Sequence, residues 1–379
     1  MRIFFVAPRY HTNQIPIVNH LLKMGYDIKF LVYHRGIIED YSTICPTVIP
    51  SNHIFRLYYN LKYKNKADEV KEDYFIRHFI PSCSFLLSYL YKEKPDILVL
   101  RGYGECSIIC NLLGKLLGIN RIVLYTQAPQ YLSKDKRWGM LKKIYRRLLP
   151  KLEYTPVEIK DGLLEPEFMI KTQRMFIPFV MDFPSDMINR IYLKSNKINL
   201  LDIGKFRDYK NHFILVKAFA RMPINIQKMF RVTIIGQVST ASEESYFNEL
   251  QRCVDELSLN EVIRIKKNVP YKEMGGVYKE HDVFILTSKK EEASISVLEA
   301  LSYGLVCVST SYNGTATYIP KDYGFLFKSE DVESLLNVLQ KLAANKSSIP
   351  EWGQKSFNYA KVNYSPEVYE SKLQELCRF

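Results

Sequence analysis

A chain of 379 residues is too long for one ordinary core and fits two domains of common size. With 47% hydrophobic and 25% charged residues, the composition excludes a disordered polymer. The net charge of +13 sits almost wholly in residues 1–150, whose 23 basic and 11 acidic side chains leave about +1 for the rest. Such a basic half calls for an anionic partner: nucleic acid, anionic lipid or a phosphorylated acceptor.

Cys45, Cys83, Cys106, Cys110, Cys253, Cys307 and Cys377 are scattered and form no Cys-x-x-Cys pair. Neither a zinc ribbon nor a disulfide scaffold is indicated, and reduced thiols are expected. The first apolar run, residues 3–7, is short for a signal-peptide core and reads as a buried strand. The stretch 79–91 is broken by Pro81, Ser82 and Ser88 and falls short of the roughly 20 residues of a membrane span. The expected location is the cytoplasm, with peripheral contact at the inner face of the cytoplasmic membrane.

In chain order, β-branched runs alternate with amphipathic ones. Strands are predicted at 3–6, 28–32, 97–100 and 122–125, with helices at 15–24, 80–91 and 106–117. The pattern resumes with strands at 200–203, 231–235, 262–265, 283–286, 305–309 and 324–327. Helices are expected there at 213–219, 243–257, 295–302 and 332–342. Each half reads as a doubly wound parallel sheet, so the fold class is α/β with two Rossmann-like domains facing across a cleft. The boundary falls in 176–199, which holds Pro178, Pro184 and a Lys/Asn/Ser cluster. This gives domains of 1–180 and 181–354, with 355–379 expected to return to the first.

The strongest chemical signal lies in 283–304. A buried strand ends at Thr287, a loop carries Glu291, and Ser294 is a fair cap for a helix holding Glu299. The N–H groups of Ile295, Ser296 and Val297 would form a helix start suited to phosphate. Glu299 could accept both hydroxyls of a ribose diol.

Glu291 and Glu299, with seven residues between them, after a strand and before Gly304, resemble the E-x7-E motif of family 4 retaining glycosyltransferases of GT-B fold. The resemblance implies that Glu299 binds the nucleotide ribose and Glu291 faces the donor sugar. Gly204, Lys205 and Lys210 are similar to the family segment in which two cations bind the diphosphate. Fixed cations there stabilise the charge of the departing nucleoside diphosphate. No Asp-x-Asp occurs in the chain, so no metal or other cofactor is expected. Arg207 is a weaker candidate. Asn268 and Val269 fall where the family holds the nucleobase, largely through backbone groups. The turn Asn313-Gly314-Thr315 is expected to use a positive φ at Gly314. The resemblance covers residues 200–342 well.

The N-terminal half departs from it. Where the family has two glycines after the first strand, this chain has His11, Thr12, Asn13 and Gln14. These side chains are candidates for acceptor or sugar contacts, together with Arg101 at a strand end. Gln127 stands where the family often has a histidine; an amide donates to a hydroxyl but is no base. Residues 134–151 carry eight cations and one acid, with Trp138, Leu141, Ile144, Tyr145, Leu148 and Leu149 on a helical stripe. That is the pattern of a helix lying on an anionic membrane, or of one packed on its own domain with a solvated basic face.

These features imply a metal-independent glycosyltransferase that takes a nucleoside diphosphate sugar, UDP-linked by preference, to a bacterial surface glycan or lipid-linked acceptor. Lipopolysaccharide and capsule are acceptors of that class. The alternatives are a nucleotide-sugar-processing enzyme such as an epimerase, and a non-catalytic anion- or nucleic-acid-binding protein. The last explains the charge but not the matched residues at the strand ends. No nucleic-acid motif is present, so nucleic acid is not an expected partner.

Overall fold

The computed structural model describes residues 1–36, 40–63, 74–127, 147–157, 175–291 and 293–378. The chain forms two compact units. The first comprises residues up to Pro156, the stretch that ends at Val180, and the chain from Pro366 on; Met181–Ser365 belong to the second.

The first unit contains β1 (Arg2–Ala7), α1 (Ile15–Lys23), β2 (Asp27–Val32), β3 (Thr47–Val48) and α2 (His53–Tyr63). It continues with α3 (Cys83–Glu93), β4 (Ile97–Arg101), α4 (Glu105–Leu116), β5 (Arg121–Tyr125), β6 (Leu152–Thr155) and β7 (Met175–Phe176). The strands are all parallel, in the order β3-β2-β1-β4-β5-β6-β7. A parallel sheet is covered on both faces, so its strands read as continuous apolar runs. Ile3, Phe4, Phe5 and Val6 are accordingly all buried. The helix expected over 80–91 starts instead at Cys83, because Pro81 bridges to Ser51 and the Ser82 hydroxyl accepts the Phe85 N–H.

The second unit runs β8 (Ile198–Ile203), α5 (His212–Arg221), α6 (Ile224–Gln227), β9 (Phe230–Gly236), α7 (Ala241–Glu256), β10 (Ile263–Lys267) and α8 (Tyr271–Glu280). Then follow β11 (Val283–Leu286), α9 (Ile295–Ser302), β12 (Val306–Thr310), β13 (Phe325–Phe327), α10 (Val332–Ala344) and α11 (Ile349–Asn363). Its parallel strands lie in the order β10-β9-β8-β11-β12-β13. Thr240 caps α7 by accepting the Glu243 N–H, and Asp331 caps α10 through the Ser334 N–H. Leu335, Leu336, Leu339 and Leu342 of α10 bury one face in the core, where the helix packs on α5 and β13.

The return to the first unit begins at Pro366, not at 355. Helix α11 packs on α9 within the second unit. Only α12 (Pro366–Arg378) joins the first, lying along α1. His20 Nε2 meets Glu370 Oε2 at 2.7 Å, and Arg121 Nε donates to the Cys377 carbonyl at 2.8 Å. Buried Tyr154 and Tyr369 share a hydrogen bond of 2.9 Å. Among the described residues, no helix is long and apolar enough to cross a membrane.

Both sheets reverse their strand order once, between β1 and β4 and between β8 and β11. Loops diverge there at the carboxyl ends of the strands, and ligands of open α/β sheets bind at such points.

Candidate functional site

The reversal of the second sheet sets Gly204 and Lys205, just after β8, beside Thr287 and Ser288, just after β11. Gly204 holds a tight place: a Cβ there would lie 3.1 Å from Lys210 Cδ and 3.3 Å from His212 Cε1. Gly236 at the end of β9 is tighter still, since its Cβ would meet the Gly204 carbonyl at 2.5 Å and the Phe206 ring at 2.6 Å. The loop between β8 and α5 is pinned from below. Buried Asp202 Oδ2 meets His212 Nδ1 at 2.9 Å and accepts from Thr287 Oγ1 at 3.1 Å. Asn211 turns the chain at φ 53° into α5.

That framework brings Lys210 to Glu291. Lys210 Nζ lies 2.5 Å from Glu291 Oε2, and Ser288 Oγ donates to the same oxygen at 2.8 Å. The backbone of Glu291 bridges to Asn313, and its carbonyl accepts the Gly314 N–H at 3.0 Å. Gly314 does not have the positive φ expected of it. Its role is this donation, which fixes Glu291 from behind. Lys205 is exposed and has no ion-pair partner among the described residues.

Ser294 precedes α9 with extended dihedrals, and no side chain caps that helix start. The Ser294 hydroxyl turns instead to Ser296 Oγ at 2.8 Å. Ile295 and Ser296 are half-buried and Val297 is buried. Glu299 sits one turn into α9, where Tyr278 Oη of α8 donates to its Oε2 at 2.7 Å. Burial raises the Glu299 carboxyl above its ordinary pKa, and the Tyr278 hydrogen bond opposes that rise. Gly304 follows α9 at φ 69°, as a helix-terminating glycine does.

The Asn268 side chain is engaged by backbone groups. At φ 56°, its Oδ1 accepts the Val238 N–H at 2.8 Å and its Nδ2 donates to the Val238 carbonyl at 3.1 Å. It staples two loops, and half-buried Val269 follows it. Arg207 is also committed, with Nε 2.6 Å from Glu243 Oε1. Burial pushes Glu243 up, but the Ser239 N–H and hydroxyl together with Arg207 outweigh it and hold the carboxyl at about 2.

In the first unit, a turn over Thr12–Gln14 follows β1. The Gln14 side chain accepts the His11 N–H at 3.1 Å. Burial, then Arg101, Arg9 and His34, lower the His11 pKa to about 3, so its ring is neutral near pH 7. Arg101 Nη2 donates to Gln127 Oε1 at 2.7 Å, and Gln127 Nε2 donates to Tyr125 Oη at 2.7 Å. Asn13, Gln14, Arg101 and Gln127 line one cavity with Tyr125 and Phe179. The Asn13 Oδ1 atom is buried there without a hydrogen-bond partner. Most of the basic segment, 134–146, lies outside the described residues. At its end Leu149 is buried in the core, and the Leu148 carbonyl accepts from Asn111.

The family sequence description "Glycosyl transferases group 1" matches residues 186–358. An Escherichia coli relative, UDP-Gal:alpha-D-GlcNAc-diphosphoundecaprenol alpha-1,3-galactosyltransferase, is 32% identical over 69% of this chain and 70% of its own length. This chain belongs to the group 1 glycosyl transferases. A human relative, GDP-Man:Man(3)GlcNAc(2)-PP-Dol alpha-1,2-mannosyltransferase, is 24% identical over 45% of the chain. The chain spans about a third of the length of that relative and of its mouse and nematode counterparts. The Anabaena protein HepE, solved with UDP, superposes with a TM-score of 0.70 over 100% of both chains at 12% identity. Likeness at that identity shows the fold, the two Rossmann-like domains of GT-B glycosyltransferases.

Several residues that build the site in this member of the family carry weak sequence signals. Asp202 is a charge inside an otherwise buried strand, which was a legible cue. Gly236 closes a predicted strand and was another. Tyr278, Ser288 and His212 gave none, since their partners are fixed only by the fold.

Proposed function

We propose that the protein is a retaining glycosyltransferase that moves a sugar from a UDP-linked donor to a lipid-linked or surface glycan acceptor of the bacterial kind. The observation that carries this reading is the convergence of Lys210, Glu291 and the start of α9 at the reversal of the second sheet. Support for the donor and acceptor comes from the E. coli relative, whose name specifies UDP-Gal and a diphosphoundecaprenol-linked sugar.

In this reading the acceptor hydroxyl attacks the anomeric carbon as the bond to the β-phosphate oxygen breaks. The proton passes to the departing diphosphate. Lys205, Lys210 and the N–H groups of Ile295, Ser296 and Val297 stabilise the charge that accumulates there, so the chemistry calls for no metal ion. Glu299 accepts the ribose hydroxyls, and Glu291 orients the sugar while sharing Lys210. The loops at 204 and 268–269 flank the nucleotide, with Asn268 acting on loop shape. The first unit takes the acceptor, where Asn13, Gln14, Arg101 and Gln127 offer hydroxyl-matching groups and neutral His11 adds one more. The protein works in the cytoplasm at the inner face of the membrane, with the basic segment 134–151 against anionic lipid.

The test is transfer from UDP- and GDP-sugars to a short-chain diphosphate-linked N-acetylglucosamine, with the new anomer assigned by NMR. The reading expects transfer from a UDP-sugar with the donor's anomeric configuration kept. An inverted product, or no transfer from any donor, contradicts it.

A further inference from the structure

The first sheet reverses between β1 and β4, and a cavity lies at that carboxyl edge. Ile17, Phe30, Val99 and Phe179 give it apolar walls. Phe30 stacks on Phe5 with ring centroids 4.7 Å apart, which fixes one of those walls. Asn13, Arg101 and Gln127 interrupt the apolar lining. Gln127 is committed to Arg101 and to Tyr125 Oη, and so holds the guanidinium in place. A guanidinium has several N–H groups, which leaves Arg101 donors for a ligand. Asn13 differs. Its Oδ1 is buried at the cavity and has no partner among the described residues. A buried acceptor left unpaired costs stability, and a ligand that donates to it removes that cost.

Size and chemistry narrow the occupant. The cavity volume is about 40 Å³. A single water needs roughly 10–15 Å³ of such space, so the cavity suits a group of roughly three heavy atoms and not a sugar ring. A hydrocarbon group would fill the walls and leave Asn13 Oδ1 unpaired. A lone hydroxyl would pair the oxygen and leave the walls unfilled. A carboxylate could meet Arg101 but has nothing to donate to Asn13. An acetamido group meets all three demands, with an N–H donor, a carbonyl acceptor and a methyl.

We propose that this cavity seats the acetamido group of an N-acetylated amino sugar in the acceptor, with its N–H on Asn13 Oδ1, its carbonyl on Arg101 and its methyl among Ile17, Phe30 and Phe179. The inference rests on the reading that the first unit takes the acceptor. It makes the cavity the element that selects an acetamido sugar over its plain hydroxyl counterpart.

The experiment is calorimetry and saturation-transfer NMR on the full chain with octyl diphosphate-linked N-acetylglucosamine and the matching glucose compound. The variants are Asn13→Leu, which keeps the shape and removes the acceptor, and Ile17→Phe, which fills the apolar wall. Removing an unpaired buried oxygen should leave the melting temperature of Asn13→Leu at or above the parent's. The parent chain should bind the acetamido compound about ten-fold or more tightly than the glucose compound, from the hydrogen bonds and the buried methyl. The acetyl methyl should take up the strongest saturation of any ligand proton. Either variant should bring the affinity ratio close to one. Equal binding of the two compounds by the parent overturns the proposal and leaves the acceptor reading standing. So does a parental ratio in a folded Asn13→Leu chain. Binding of neither compound overturns the acceptor reading, and the proposal falls with it. Equal binding of the acceptors beside an Asn13-dependent preference for UDP-N-acetylglucosamine over UDP-glucose overturns the proposal in favour of the donor sugar.

Discussion

At the carboxyl edge of the second sheet, Lys210 meets Glu291, Arg207 meets Glu243 and Lys289 meets Asp208. At the corresponding edge of the first sheet, Arg101 meets the neutral amide of Gln127 and the ring of Tyr125, and His11 is held uncharged. The same strand topology thus carries two electrostatic designs. Carboxylates hold cations in place in the second unit; on the proposed reading, a diphosphate would find Lys210 oriented and would compete with Glu291 for it. The first unit offers amide and guanidinium hydrogen bonds around a largely apolar cavity, which suits sugar hydroxyls. On the proposed reading, the difference separates a donor edge from an acceptor edge.

The comparison breaks most sharply at Lys210. Lys210→Ala should lower transfer by roughly 100- to 1,000-fold, the scale set by a lost transition-state charge contact. It should weaken UDP by about ten-fold or more, as for a charge-assisted hydrogen bond. Glu291→Gln separates the two roles, because it keeps the shape and removes the competing charge. UDP binding should hold or tighten while transfer falls by roughly 100-fold. Steady-state kinetics beside calorimetry reads both variants. Equal loss of UDP binding in both would place Glu291 in the binding set.

Gly236→Ala tests whether the backbone of the donor edge is as tight as it looks. Its Cβ would press on the Gly204 carbonyl and the Phe206 ring. A destabilisation of about 1–3 kcal/mol is expected from overpacking, with weaker UDP binding as Gly204 shifts. A melting temperature equal to the parent's would show that the loop gives way freely.

Acid should separate the two edges. Glu243 has a folded-state pKa of about 2, below its ordinary value of 4.5, so the unfolded chain takes up the proton first. The stability it contributes is present above pH 4.5 and is lost as pH falls towards 2, on the order of 2 kcal/mol. His11 has a folded-state pKa of about 3, below 6.5, and protonation of the unfolded chain costs stability from pH 6.5 downward. Melting curves from pH 7 to pH 3 should show the first unit weakening earlier. Glu243→Gln should flatten the dependence below pH 4.5, and His11→Gln the dependence above it.

The smallest effect is expected at Gln127. Gln127→Ala strands an Arg101 N–H and removes the donor to Tyr125, for about 1 kcal/mol of stability. UDP affinity should be untouched. A loss of UDP affinity in this variant would tie the first unit to donor binding.

Much of this was legible in the residues, for identifiable reasons. Both sheets announced themselves because parallel strands such as Val283–Leu286 are apolar on every residue, and the helices between them keep one apolar stripe. The start of α9 after Ser294 was placed correctly, although the Ser294 hydroxyl bonds Ser296 and does not cap the helix. Helix α2 was missed because its apolar residues run around both faces and leave no single period to read. Strands β3 and β7 have two residues each, too short for any pattern. The positive φ expected at Gly314 is absent because its N–H instead bonds the Glu291 carbonyl 23 residues back, and the Asn268 side chain likewise bonds Val238 30 residues back, links that local sequence does not announce. The Tyr278–Glu299 contact escaped notice because it joins two helices across a strand, where spacing carries no information.

The most direct test of the donor edge is calorimetric titration of UDP, without added metal, into the parent chain and Glu299→Ala. The account predicts saturable UDP binding by the parent chain, weakened about ten-fold or more when the carboxylate is removed. Equal affinity in both proteins, or no binding of any nucleoside diphosphate across UDP, GDP and ADP, would contradict it.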